Sequence, residues 1–248
     1  MSFSTLMYHE IRELNMLHPE QSSPIKVKQE YKDNLPSPLF VSLENFGDQM
    51  TYLYENHYHT LSLSQVIDYY SKGAELPEKS VLLTFDDCYQ SIARYAYPIL
   101  KRYHFKATAF VVTGWLNTVS QPFDPEQSIC LTEEDLNLMS DVFEYANHTD
   151  RFHTRTGMTT SIMMEVSDRE LEEDLDRCNS NPLITAKDVF AYPFGLYIDR
   201  NVQLLRSKGF QLAFTSENGK NDPNTDPLLL KRNAIPYFMT MDNFKTLL

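Results

Sequence analysis

Two adjacent carboxylates close an apolar run. The stretch Leu82–Gln90 reads LLTFDDCYQ and places Asp86 beside Asp87. Neighbouring carboxylates repel each other, so the pair calls for a cation, a buried proton or water to balance it. Further along, NHTDRFH carries His148 and His153, five residues apart. That spacing does not stack them on one helix face, as an i, i+4 pair would be. A strand end followed by one turn can still bring both imidazoles together. Two histidines and one carboxylate form a common catalytic metal set with a position left open for water. Taken alone, the same residues also read as solvated loop histidines. Two more polar signals end apolar runs. His9 follows STLMY, and Tyr192, Pro193, Phe194 and Gly195 follow DVFA.

These residues can meet only if the runs before them share a direction. Strand-like and helix-like segments alternate along most of the chain. STLMY (Ser4–Tyr8), SVLLTF, ATAFVVT (Ala107–Thr113), VFEYAN (Val142–Asn147), DVFAYP, QLAFT and LLLKRNAIP read as strands. Between them lie helical patterns: SLENFGDQMTYLYENH (Ser42–His57), with Ser42 as N-cap, and SLSQVIDYYSKG, stopped by Gly73. QSIARYAYPILKRYH and DRNVQLLRSKG (closed by Gly209) are two more. LTEEDLNLM and SDRELEEDLDRC open on capping boxes, Thr132 with Asp135 and Ser167 with Glu170. This alternation predicts an α/β fold, a distorted or incomplete (β/α) barrel with about seven parallel strands. Residues 1–248 read as one domain. In such folds the carboxyl ends of the strands share a face, and sites form there. Arg12–Pro38 and Leu116–Ser128 are polar and irregular, the kind of long loop that is functional or mobile.

Composition narrows the partners. The 248 residues are 42% hydrophobic and 23% charged, enough for one large buried core. A net charge of −12 disfavours nucleic acid and anionic membrane surfaces, which need a basic face. A neutral substrate, or one that becomes cationic, fits better. No window is apolar enough for a membrane span. Cys88, Cys130 and Cys178 are widely spaced, with neither a disulfide framework nor a thiolate zinc pattern. The opening MSFSTLMYHEIREL shows no export signal, so the chain as written would stay in the cytoplasm.

TFDD, HTDRFH and FAYPFG, in this order, resemble the polysaccharide deacetylase family, also called the NodB-homology or carbohydrate esterase family four. The histidine spacing and the N-terminal LMYHEI are most similar to the branch that deacetylates poly-N-acetylglucosamine. The resemblance runs from about His9 to the final LLLKRNAIP. It implies metal-dependent hydrolysis of N-acetyl groups from an N-acetylhexosamine glycan, releasing acetate. Asp87, His148 and His153 would hold one divalent ion, zinc by default, with cobalt or nickel as alternatives. Asp86 would be the general base; the family's usual acid histidine near the C-terminus is missing, no histidine following His153, and in the resembling branch the histidine of the N-terminal MYH takes that part, which points to His9. Tyr192 would lend its backbone N–H to the oxyanion. The family mostly acts at the cell surface or after secretion.

The chain departs from the family pattern at two places. Cys88 stands where glycine is usual, and no arginine-containing third motif is found, so nothing explains how Asp86 is oriented. Arg169 and Arg177 lie on an acidic helix and read as solvent-facing or paired with its glutamates. Trp115, Tyr89, Tyr197 and Pro193 lie near strand ends and are candidates to contact a sugar. His57, His59 and His104 read as surface or core residues, and His18 as a loop residue that could cover the site. A small-molecule amidohydrolase and an inactive carbohydrate-binding relative are the competing readings.

Overall fold

The computed structural model describes residues 1–17, 22–31, 33–36 and 39–248; His18 lies outside them. Seven apolar runs form one curled parallel sheet. Its seven main strands are β1 (Phe3–Tyr8), β2 (Ser80–Asp86), β3 (Ala107–Val111), β4 (Phe143–Asn147), β5 (Ala186–Ala191), β6 (Leu212–Phe214) and β7 (Asn233–Ala234), and two short ones join it, His59–Thr60 parallel to β2 and Lys220–Asn221 antiparallel to β1. The order of the seven is β6-β5-β4-β3-β2-β1-β7, and each neighbouring pair is parallel. The two edges approach each other through one segment: Leu230 bridges Phe214 of β6, and Asn233 pairs with Leu6 of β1. The result is the distorted (β/α) barrel that the alternation predicts.

Every residue of β1 and β2 is buried, as expected for parallel strands covered on both faces. Side chains alternate across the strand. Leu82 packs with Phe110, Phe214 and Leu230, whereas Leu83 and Phe85 pack with Phe46 and Leu53. Asp86 is two and four residues from Thr84 and Leu82, so it points into the barrel interior. Phe85 touches Tyr8, Phe46 and Phe143 at centroid distances of 5.2, 6.1 and 5.5 Å. Truncating it to alanine would cost about 3–5 kcal/mol.

The helices cover the sheet: α1 (Leu43–Glu55), α2 (Leu63–Lys72), α3 (Tyr97–Arg102), α4 (Glu133–Asn137), α5 (Asp168–Ser180), α6 (Asp199–Ser207) and α7 (Met241–Leu247). Ser42 caps α1, and Gly73 ends α2 at φ 66°. Thr132 with Asp135 and Ser167 with Glu170 form the capping boxes of α4 and α5.

Three expectations differ from the structure. The helical pattern before His104 is split, with a wide π-turn at Ile92–Ala96 preceding α3. LLLKRNAIP gives only the two residues of β7, because its neighbours cross the gap between sheet edges through single bridges. Within the stretch Arg12–Pro38, the described residues include short strands that its composition did not suggest. Ser23–Lys26 pairs with Asn34–Leu35 and with Ser128–Ile129. No helix among the described residues is long and apolar enough to cross a membrane.

Candidate metal centre

The chain leaves β2 in a left-handed turn, with φ of 70° at Asp87 and 57° at Cys88. Glycine adopts this conformation without strain, which gives the usual residue a physical reason. Cys88 takes the same conformation and is fully buried. Burial pushes its thiol well above the ordinary range, so it is a packing residue rather than a nucleophile.

The turn sends the two carboxylates to different surroundings. Asp86 meets Arg232, whose Nη1 and Nη2 donate to Oδ1 at 2.7 Å and Oδ2 at 2.9 Å. Arg232 is itself buried, donates from Nε to the Thr215 carbonyl at 2.8 Å, and lies over the Phe110 ring. Burial alone would raise the Asp86 carboxyl. Arg232, then His148 and His9, outweigh burial and hold it at about 2. This arginine supplies the orientation that the motifs left unexplained. Arg169 instead pairs with Glu173, and Arg177 reaches Asp150 at 3.7 Å.

Asp87 has no such partner. Its Oδ2 accepts a hydrogen bond from the Tyr89 hydroxyl at 3.0 Å. Its Oδ1 is buried and accepts none. That oxygen lies 3.4 Å from His153 Nε2 and 3.8 Å from His148 Nε2. The ligand atoms of Asp87, His148 and His153 all fall within 4.8 Å of one another. His148 Nδ1 donates to the Ala191 carbonyl at 2.8 Å, which fixes the tautomer and leaves the Nε2 lone pair facing Asp87. The His153 ring is held between Trp115 and Phe194, at centroid distances of 4.6 and 4.4 Å.

Burial, then the Asp86 charge, raises Asp87 to about 8, and burial lowers both histidines. An orphaned carboxylate oxygen facing the His148 Nε2 lone pair and the His153 imidazole, whose Nδ1 also meets no partner, is an unfavourable arrangement in a protein interior. The same donors fit a divalent cation.

His9, the first residue after β1, places Nε2 at 3.8 Å from Asp86 Oδ2. Burial lowers it to about 4 against the pull of Asp86, so at neutral pH this is a neutral imidazole beside a carboxylate, not an ion pair.

The other predicted site residues are placed differently. Tyr192 is buried, and its N–H donates to the Phe214 carbonyl at 3.0 Å in the β5–β6 ladder, so it is not available to an oxyanion. Trp115 and Tyr89 are fully buried and Pro193 is buried too, so none presents a face to a sugar. Trp115 packs on His153, and Tyr89 holds Asp87. Tyr197 stacks at 5.0 Å on Tyr192, and its hydroxyl bonds Glu217. The rim aromatic that the sequence reading missed is Tyr31, partly buried and 4.6 Å from Trp115.

Comparison with known proteins agrees with this geometry. The family model for polysaccharide deacetylase matches residues 73–213. That span holds Asp86, Asp87, His148 and His153 but neither His9 nor Arg232. Over 240 residues, 93% of this chain and 77% of the relative, the chain is 28% identical to the poly-beta-1,6-N-acetyl-D-glucosamine N-deacetylase of Staphylococcus aureus. It is 26% identical to that of Staphylococcus epidermidis over 247 residues, 98% of this chain and 81% of the relative. Among solved structures, the Streptococcus pyogenes deacetylase PplD, in complex with acetate, superposes with a TM-score of 0.75 at 25% identity. The alignment covers 99% of this chain and 97% of that one. IcaB from Ammonifex degensii shares the fold, with a TM-score of 0.71 at 23% identity over 98% of this chain and 94% of that one. With more than half of its length matched and the motif residues gathered at one end of the barrel, the chain belongs to the polysaccharide deacetylase family.

Proposed function

We propose that this protein removes N-acetyl groups from an N-acetylglucosamine-containing glycan, using a divalent ion held by Asp87, His148 and His153, with zinc first among the candidates. The observation that carries this reading is the split carboxylate pair: Asp86 is neutralised by Arg232, while Asp87 has an orphaned oxygen facing two imidazoles. A cation bound there would polarise the acetamide carbonyl and make a water acidic enough to lose a proton near neutral pH.

Asp86, kept ionised and fixed in direction by Arg232, accepts that proton. The water oxygen bonds to the acetamide carbonyl carbon, and His9, 3.8 Å from Asp86, receives the proton and gives it to the amine nitrogen as the C–N bond breaks. The products are acetate and a free amine. Because the Tyr192 N–H is engaged, the oxyanion needs another donor. The Phe194 N–H is the candidate: it follows Pro193 in a left-handed turn at φ 59°, and its ring packs on His153.

Two open cavities near the site favour a chain over a small amide. One of about 460 Å³ is bounded by Tyr31, Asp33, Thr154 and Arg155, next to His153 in sequence. The other, about 990 Å³, runs between residues 25–31 and 117–129 and shares Tyr31 with the first. The larger cavity is lined by amides (Gln29, Asn117, Gln121, Gln127) and by charges of both signs (Lys26, Lys28, Glu30, Asp124), with Tyr31 at the junction, which suits a polar glycan.

The test is acetate release from N-acetylglucosamine oligomers of several lengths, by protein stripped of metal and reloaded with zinc, cobalt or nickel. Metal-dependent release that rises with length is expected. Release that is unaffected by stripping would sink the metal reading.

A further inference from the structure

The five-residue spacing of His148 and His153 needs a turn of fixed shape, and α5 supplies it. Thr149 is left-handed at φ 73°. Its N–H donates to Asn147 Oδ1 at 2.8 Å. The Asn147 amide in turn donates to the Leu175 carbonyl at 3.0 Å and to Asn179 Oδ1 at 2.9 Å. The next two backbone N–H groups point at one side chain: Asp150 N–H donates to Asp174 Oδ2 and Arg151 N–H to Asp174 Oδ1, each at 2.8 Å. Asp174 is 2% exposed. On its other side the turn is held by the end of β3. Gly114 N–H donates to the Asp150 carbonyl at 2.9 Å, and the Thr113 hydroxyl donates to Asp150 Oδ1 at 2.7 Å. A Cβ at Gly114 would lie 2.4 Å from that carbonyl, so the approach requires glycine.

We infer that Asp174 is a positioning residue for the metal centre, setting metal affinity by locking the turn that presents His148 and His153 together. This rests on the metal reading above. A buried carboxylate accepting two N–H groups, that of Asp150 buried and that of Arg151 partly so, is a strong, charge-assisted clamp. If it is lost, two N–H groups are left unpaired and the turn is free to open. The two imidazoles would then have to be brought together by the metal itself, and affinity would fall. A carboxylate that only stabilised the fold would lower the melting temperature and leave the affinity of the folded protein unchanged.

The experiment measures zinc affinity by chelator competition, with the melting temperature of the metal-free protein alongside, for the wild type, Asp174→Asn and Asp176→Asn. Asp176 lies on the same helix, is itself exposed, and among the described residues pairs with Lys208. About tenfold weaker zinc binding is expected for Asp174→Asn, the lower end of what supporting partners of metal ligands contribute. Asp176→Asn should match the wild type. Zinc affinity of Asp174→Asn within twofold of the wild type would overturn the inference, whatever the melting temperature. If Asp174→Asn does not fold, hydrogen exchange on the metal-free wild type decides. Protection of residues 149–151 comparable to β4 supports a turn locked in advance, and free exchange until zinc is added contradicts it. Absence of zinc binding by the wild type would instead refute the metal reading on which the inference rests.

Discussion

Asp86 and Asp87 are neighbours in the chain and equally buried, yet they belong to different regions of the fold. Asp86 faces the barrel interior, where the segment that links the two sheet edges brings in Arg232 from 146 residues away. Asp87 turns to the rim, where it meets a tyrosine hydroxyl and two neutral histidines. The interior balances its carboxylate with a covalently tethered cation. The rim balances its own with nothing from the protein. A buried acid with a bidentate arginine is a fixed charge that can accept a proton in a defined direction. A buried acid whose free oxygen faces two imidazoles marks the place for an exchangeable cation.

The comparison can be broken most severely at Arg232. Arg232→Leu leaves Asp86 buried without its partner, and removing one member of a buried pair costs about 3–5 kcal/mol. Chemical denaturation checks this. The pH dependence should also change sign. In the wild type the depressed Asp86 carboxyl contributes stability that is present above its unfolded value of about 4 and is lost as pH falls toward about 2. Without Arg232, burial raises that carboxyl, and stability is lost as pH rises above the unfolded value. Acetate release should fall sharply in the variant even with metal bound. A smaller effect is expected at the rim. Tyr89→Phe removes one hydrogen bond to Asp87 Oδ2, worth about 1 kcal/mol, and should weaken zinc binding by about fivefold in a chelator titration while the fold stays intact. If Tyr89→Phe proved more damaging than Arg232→Leu, the division between interior and rim would be wrong.

Much of this was legible in the sequence because it is local. Apolar runs ending in Asp86, His9 and Asn147 define strand ends, and capping residues define helix starts. Geometry at a strand end then brings distant motifs together. What the sequence hid is non-local. Arg232 has no motif around it, and its signal was a lone arginine in the apolar LLLKRNAIP, where a charge in a buried strand needs an acidic partner. The engaged Tyr192 N–H could not be read from FAYPFG, since it depends on where Phe214 pairs. Trp115 looked like a platform because it follows a strand end, but Tyr31 packs against it from a segment whose composition suggested a long irregular loop, functional or mobile, without marking this tyrosine.

The account stands or falls on the separate roles of the two carboxylates. The direct measurement is bound zinc and acetate release for Asp86→Asn and Asp87→Asn, each stripped and then reloaded. The account predicts that Asp87→Asn fails to retain zinc and is inactive for that reason, whereas Asp86→Asn retains zinc and still releases no acetate. Zinc retained by Asp87→Asn and lost by Asp86→Asn would contradict it.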